Sequence, residues 1–302
     1  MEGHLQLGEH RTWYRVVGDL PAHGSGERPA PVIVCHGGPG ATHDYVSPIA
    51  QQLQGSGRAC VLYDQLGNGR SDRLPDADPS FWTVELFERE LAALVAHLGI
   101  DGRYHVLGQS WGGMLALLHA LARPPGLVSV VAADSPASIG AFVAGANELL
   151  EEGFPADVVE TIRAGERSGE TSTPEFQAAV TEFYKRHVCR LDPWPDEVVR
   201  SFAAMESDPT VYATMNGPTE FTVVGTIASF DITDRLGEID VPVLLVSGEH
   251  DEVRPSVVAA AHERLPDSEW VLFEDSSHMP HLEEPERFLA VVSAFLERVE
   301  AA

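Results

Sequence analysis

Short runs of apolar, largely β-branched residues recur along the chain, and each is closed by glycine or a polar turn residue. Residues 32–35, 60–63, 104–107, 128–132, 243–246 and 270–273 have this character. A strand covered on both faces reads as a continuous apolar run instead of an alternating one, so these runs predict a buried parallel sheet. Apolar positions recur at helical spacing over 87–98 and 114–122, and again over 288–299 at the end of the chain. Strand alternating with helix predicts an α/β fold. A further strand is predicted over 13–17, followed by a Gly/Pro-rich loop over 18–31.

The alternation stops near residue 136 and resumes only after 231. The intervening stretch has a helical pattern, punctuated by Gly153-Phe154-Pro155, Thr173-Pro174 and Asp192-Pro193-Trp194-Pro195. Glycine and proline at such points end helices. The expected organisation is therefore a core built from 1–135 and 232–302, with a helical cap, 136–231, inserted between its two parts. The 302 residues and 44% hydrophobic content suit a globular chain of that size.

Charge narrows the function classes. Lys+Arg number 20 and Asp+Glu 46, a formal net charge of −26. Such a chain repels phosphate backbones and anionic bilayers, so neither nucleic acid nor membrane is an expected partner. The single lysine, Lys185, leaves little scope for Schiff-base chemistry. Cys35, Cys60 and Cys189 are odd in number and widely spaced, which fits buried thiols in a reducing compartment. With no apolar leader pattern at the start, the expected location is the cytoplasm.

Chemistry enters at Gly108-Gln109-Ser110-Trp111-Gly112, which lies between a predicted strand and a predicted helix. G-x-S-x-G in that context is a nucleophile elbow: a strained turn lifts the serine hydroxyl above the sheet, and small residues must flank it. Serine needs a base, and the base needs an acid to orient it. In this class they follow in the order Ser, acid, His. After the strand at 243–246 comes Ser247-Gly248-Glu249-His250-Asp251-Glu252, and after the strand at 270–273 comes Glu274-Asp275-Ser276-Ser277-His278. Asp251 is the best acid and His278 the best base, with Glu249, Glu252 and Asp275 as rivals for the first role and His281 for the second. His278 and His281 lack a third residue at ligand spacing, so no metal is expected.

An oxyanion needs backbone N–H donors. One is expected from Trp111, the residue after the nucleophile. The other is expected from the loop His36-Gly37-Gly38-Pro39-Gly40, directly after the strand at 32–35; His36 itself reads as structural.

Taken together, His36-Gly37-Gly38-Pro39-Gly40, Tyr63-Asp64-Gln65-Leu66-Gly67-Asn68-Gly69-Arg70-Ser71, Ser110-Trp111-Gly112-Gly113 and Met215-Asn216-Gly217-Pro218-Thr219-Glu220-Phe221 resemble the prolyl aminopeptidase (proline iminopeptidase) family of α/β-hydrolases. The amidase branch of that family is the nearest in look. Leu66 and Gln109 depart from residues common in the peptidases. The resemblance implies a mostly parallel eight-stranded sheet with a helical cap and no cofactor. It implies Ser110 as nucleophile, Asp251 as acid, His278 as base, and Gly38 with Trp111 as oxyanion donors. It also implies that Glu220 and Glu252 bind the free amine of the substrate. A buried ammonium requires such partners. The Trp111 indole has two readings: a flat face against which a pyrrolidine ring packs, or plain packing of cap on core.

The expected reaction is cleavage after an unblocked N-terminal residue, proline above others. The expected partner is an amino-acid amide or a short peptide. The alternative is an esterase or thioesterase of the same fold acting on a small metabolite.

Overall fold

The computed structural model describes residues 1–21 and 29–301; part of the predicted 18–31 loop lies outside them. Eight strands form one sheet: β1 Glu2–Leu7, β2 His10–Val17, β3 Val32–Cys35, β4 Cys60–Tyr63, β5 Tyr104–Gln109, β6 Leu127–Ala133, β7 Val243–Gly248 and β8 Ser268–Phe273. Their spatial order is β1-β2-β4-β3-β5-β6-β7-β8. β2 pairs antiparallel with both β1 and β4, and the remaining pairs are parallel. The seven predicted strands all form. β1 was not predicted, because only Leu5 of its six residues is buried and its apolar pattern is faint.

The α-helices of the described residues are α1 Ser47–Gly55, α2 Val84–Leu98, α3 Trp111–Leu121, α4 Ile139–Gly153, α5 Ala156–Ser168, α6 Pro174–His187, α7 Asp196–Ser207, α8 Thr210–Met215, α9 Pro255–His262, α10 Pro280–Glu283 and α11 Pro285–Ala301, with short 3-10 turns over Pro79–Phe81 and Thr233–Glu238. The central strands bury both faces, and successive residues serve opposite sides. Ile33, Val61, Val106, Val130 and Leu245 pack with Phe87, Leu91 and Leu115 of α2 and α3. Val34, Leu62, Leu107, Val131 and Leu244 pack with Ile49 and Leu53 of α1 and with Val292 and Phe295 of α11. Each face is thus sealed by helices, which is why the strands read as unbroken apolar runs.

α4 to α8 all lie between β6 and β7. Three of their boundaries fall at the Gly/Pro punctuation: Pro155 and Pro195 occupy N-cap positions, and the Thr173 hydroxyl caps α6 by accepting from Phe176 N–H. Where the chain leaves the sheet it meets its own return. Ile139 N–H donates to Phe230 O, and Ile232 N–H donates to Ala137 O. Among the described residues, no helix is long and apolar enough to cross a membrane.

Candidate active site

Ser110 sits between the end of β5 and the first residue of α3, with φ 57° and ψ −125°. That left-handed backbone costs about 1–3 kcal/mol in a non-glycine residue and persists only where the surroundings enforce it. Here they do. A Cβ on Gly108 would lie 2.0 Å from Gly112 O, and one on Gly112 would lie 2.2 Å from Cys35 O. The strand and helix pack too closely for any side chain at either position, so the turn between them must be sharp. Ser110 N–H is held by Ala133 O of β6, at 2.9 Å, and Ser135 Oγ donates to Ser110 O at 2.7 Å.

His278 and Asp251 come from the loops after β8 and β7, the two strands that follow β6 in the sheet. His278 Nδ1–H donates to Asp251 Oδ1 at 2.6 Å, and Val253 N–H donates to the same oxygen at 2.9 Å. Both side chains are buried. Of the rivals, Glu252 is in the site but does not bond Nδ1, Glu249 and Asp275 are exposed, and His281 donates from Nε2 to Tyr45 O at 3.0 Å. Burial pushes His281 down to about 4, so it is neutral. His36 is structural as expected. Its Nε2 accepts from Gln65 N–H at 3.0 Å, and burial lowers it to about 4.

Ser110, Gly38, Glu220, Glu252 and His278 line one cavity, with Tyr45, Tyr184 and Tyr212 and the apolar side chains of Val188, Phe202, Met205 and Met279. The two glutamates come from distant parts of the chain. Glu220 lies in the turn after α8 and accepts from the Tyr212 hydroxyl. Glu252 follows Asp251; its Oε1 is 3.6 Å from His278 Nε2, while Oε2 is buried without a partner. Burial raises both glutamates above the ordinary carboxylate range, and for Glu252 the neighbouring Glu220 adds to it. The imidazole feels the reverse. Burial alone would lower His278, but Asp251, Glu252 and Glu220 together raise it to about 9.

Gly38 has φ 111°, and a Cβ there would lie 2.3 Å from Gly40 N, so its backbone faces the cavity bare. The Trp111 N–H begins α3 and has no acceptor within its helix. Of the two readings of the Trp111 indole, the structure shows packing and not a face for the substrate ring. The indole is buried beside Phe87, donates from Nε1 to Gln65 Oε1 at 2.8 Å, and takes no part in lining the cavity. The tight elbow turns it down into the core, so it offers no face to a substrate ring.

Two residues given no role by the sequence hold the site together. Gln109 Nε2 donates to His278 O at 2.8 Å, and its Oε1 accepts from the Tyr45 hydroxyl at 2.5 Å. Tyr45 Oη accepts in turn from Gly37 N–H at 2.7 Å. One chain of hydrogen bonds thus joins the glycine loop, the elbow and the histidine loop. The signal for it was a lone amide at the end of an apolar strand.

Fold and site together are those of an α/β-hydrolase, and the α/β-hydrolase-fold family matches residues 30–285. The proline iminopeptidase of Heyndrickxia coagulans is 38% identical over 269 residues, spanning 89% of this chain and 91% of that protein. The crystal structure of VinJ superposes with TM-score 0.94 at 46% identity, covering 99% of both chains. That of the Mycobacterium smegmatis proline iminopeptidase gives 0.90 at 42%, covering 100% of this chain and 99% of the other. The chain belongs to the proline iminopeptidase family of α/β-hydrolases.

Proposed function

We propose that this chain is a serine hydrolase that releases a free N-terminal residue, proline above others, from small amides such as L-prolinamide and from short peptides. In this reading Ser110 attacks the carbonyl carbon and His278 Nε2 accepts its proton, while Asp251 keeps the imidazole oriented. The N–H groups of Gly38 and Trp111 stabilise the oxyanion. His278 then protonates the leaving amine or ammonia, and water releases the product from an acyl-enzyme on Ser110. Glu220 and Glu252 pair with the substrate ammonium, which fixes the site as one for chain ends. Residues 136–231 serve as a cap over a core of 1–135 and 232–302. The three cysteines are buried and their thiols are raised by that burial, in keeping with a reducing cytoplasm.

The observation that carries the proposal is a nucleophile-elbow serine sharing one cavity with a histidine and two glutamates. The esterase alternative gives those glutamates nothing to do. L-Prolinamide, a prolyl arylamide and their N-acetyl forms make the test. Turnover of the free-amine substrates alone, abolished by Ser110→Ala, is expected. Equal turnover of blocked and free substrates would overturn the amine-recognition role, and full activity in Ser110→Ala would overturn the mechanism.

A further inference from the structure

A buried acid outside the triad stands directly behind it. Asp134 follows the last residue of β6, has φ 53°, and is fully buried. Its backbone N–H donates to Val246 O at 2.8 Å, and Gly248 N–H donates to its Oδ1 at 3.1 Å. Gly248 ends β7, three residues before Asp251, so Asp134 reaches across to the loop that carries the triad acid. With Gly248 N–H on its Oδ1, the Asp134 side chain is held against the Asp251 loop, near enough for the Asp251 carboxyl to act on it.

Their remaining oxygens expose the problem. Asp134 Oδ2 and Asp251 Oδ2 are both buried, and neither has a donor. Two ionised carboxylates cannot sit in contact in a buried site; one of them keeps a proton. The partners say which one. Asp251 accepts from the imidazole and from Val253 N–H, whereas Asp134 accepts from a single backbone N–H. Negative charge is better stabilised on Asp251.

We propose that Asp134 is a neutral carboxylic acid whose Oδ2–H donates to Asp251 Oδ2, making Asp134 a positioning residue for the triad. The role rests on the assignment of Asp251 as triad acid. One proton satisfies both orphan oxygens and fixes the Asp251 carboxylate plane, and with it the imidazole that Asp251 orients. Burial, followed by the charge of Asp251, holds the Asp134 acid well above the ordinary carboxylate range. The titratable groups facing Asp134 are Asp251, Glu283 and the Tyr45 phenol. None of them is a cation that would draw the proton away.

The full-length protein tests this with two readouts, neither requiring its substrate. The native-minus-Asp134→Asn infrared difference spectrum at neutral pH, in which bands from other buried acids cancel, should contain a protonated-carboxyl C=O band; its absence would overturn the proposal. Fluorophosphonate labelling of Ser110 should slow about tenfold in Asp134→Ala, the loss of one buried hydrogen bond to a charged group. Asp134→Asn keeps a donor for Asp251 and an acceptor for Gly248, so it should recover labelling to within about threefold, with the acid limb of the pH profile where it was. Equal loss in both variants, or an acid limb lowered by a unit in Asp134→Asn, would show an ionised Asp134 and overturn the proposal. If Asp134→Ala does not fold, the asparagine variant and the infrared band decide. Normal labelling without prolinamide turnover would count against the proposed substrate and leave Asp134 its role.

Discussion

Glu252→Gln should move two activities of the enzyme in opposite directions. Glu252 Oε1 lies 3.6 Å from His278 Nε2, and burial, offset by the charges of Asp251, Glu252 and Glu220, leaves the imidazole at about 9. A general base must be neutral to act. At pH 7 the unliganded enzyme then holds about one imidazole in a hundred in the active form, two pH units below the midpoint. Two unit charges about 4 Å apart attract by about 4 kcal/mol at an effective dielectric near 20. Burial draws Glu252 toward its neutral form, so His278 feels a fraction of that. A third of it is about 1.4 kcal/mol, or roughly one pH unit.

The assay is the rate of fluorophosphonate labelling of Ser110 from pH 6 to 10, run beside L-prolinamide turnover. The probe carries no amine, so its rate reports the free-enzyme histidine alone. For the native protein labelling should rise with pH toward a midpoint near 9. In Glu252→Gln the midpoint should fall by about one unit, and labelling at pH 7 should rise about tenfold. Prolinamide turnover in the same variant should fall, because the ammonium has lost a partner. On the proposed amine-binding role a substrate ammonium neutralises the same carboxylates, so in the native enzyme the acid limb of kcat should lie below that of kcat/KM. Labelling and turnover falling together, or a midpoint that does not move, would refute the electrostatic reasoning.

Gly112→Ala should yield little folded protein, since its Cβ would lie 2.2 Å from Cys35 O and 2.8 Å from His36 O, both backbone atoms; soluble expression and thermal melting check this. Ser110→Gly should be inactive yet melt higher than Ser110→Ala, by about 1 kcal/mol in stability, because glycine relieves the φ of 57°. Among the described residues that line the cavity there is no lysine or arginine, while Phe202, Met205, Val188 and two glutamates do line it. Amidating the C-terminus of Pro-Leu should therefore raise kcat/KM about tenfold by removing a carboxylate from an acidic, apolar site. Glu300→Gln should cost about 1–2 kcal/mol in urea unfolding at pH 7, because the carboxylate accepts from Arg58 Nη1 and Nη2, at 2.7 and 2.9 Å. Burial would raise that carboxyl, but His105, Arg58 and Ala30 N–H hold it below its ordinary range. The difference between the two proteins should thus be full above about pH 5 and shrink as the medium becomes more acid.

What could be read without coordinates follows from where each property is encoded. The central strands declared themselves because both of their faces are covered, which demands local runs such as Val32-Ile33-Val34-Cys35. β1 and α1 did not: β1 contributes one buried side chain, and α1 is nine residues long with Ile49, Ala50 and Leu53 as its buried face. The nucleophile elbow was legible because its sharp turn requires glycines at fixed spacing from Ser110, and the Asp251–His278 pair because chain order limits which acid and histidine can follow. The direction of a side chain is not encoded that way. Nothing around Trp111 distinguishes an indole facing a ligand from one seated against Phe87 with Gln65 as its acceptor, since that contact joins residues 46 apart in sequence.

The acids carry the same lesson further. Asp134 in Ala133-Asp134-Ser135-Pro136 reads as a solvated turn residue, and the excess of acid over base makes any one carboxylate unremarkable by composition. What distinguishes it is the β7 loop folding over it, so that Gly248 N–H supplies its one donor and Asp251 its neighbour. Glu220 is likewise ordinary until α8 places Tyr212 against it, bringing it into the cavity that Glu252 also lines. Burial and proximity turn these carboxylates into a set with divided tasks. In the proposed reading, Asp251 orients the imidazole, Glu220 and Glu252 pair with the substrate ammonium, and Asp134, kept neutral, completes the hydrogen bonds of Asp251. If Asp134 proves ionised, that division fails at its fourth member, and the raised His278 would then owe part of its elevation to a charge behind the triad as well as to those lining the cavity.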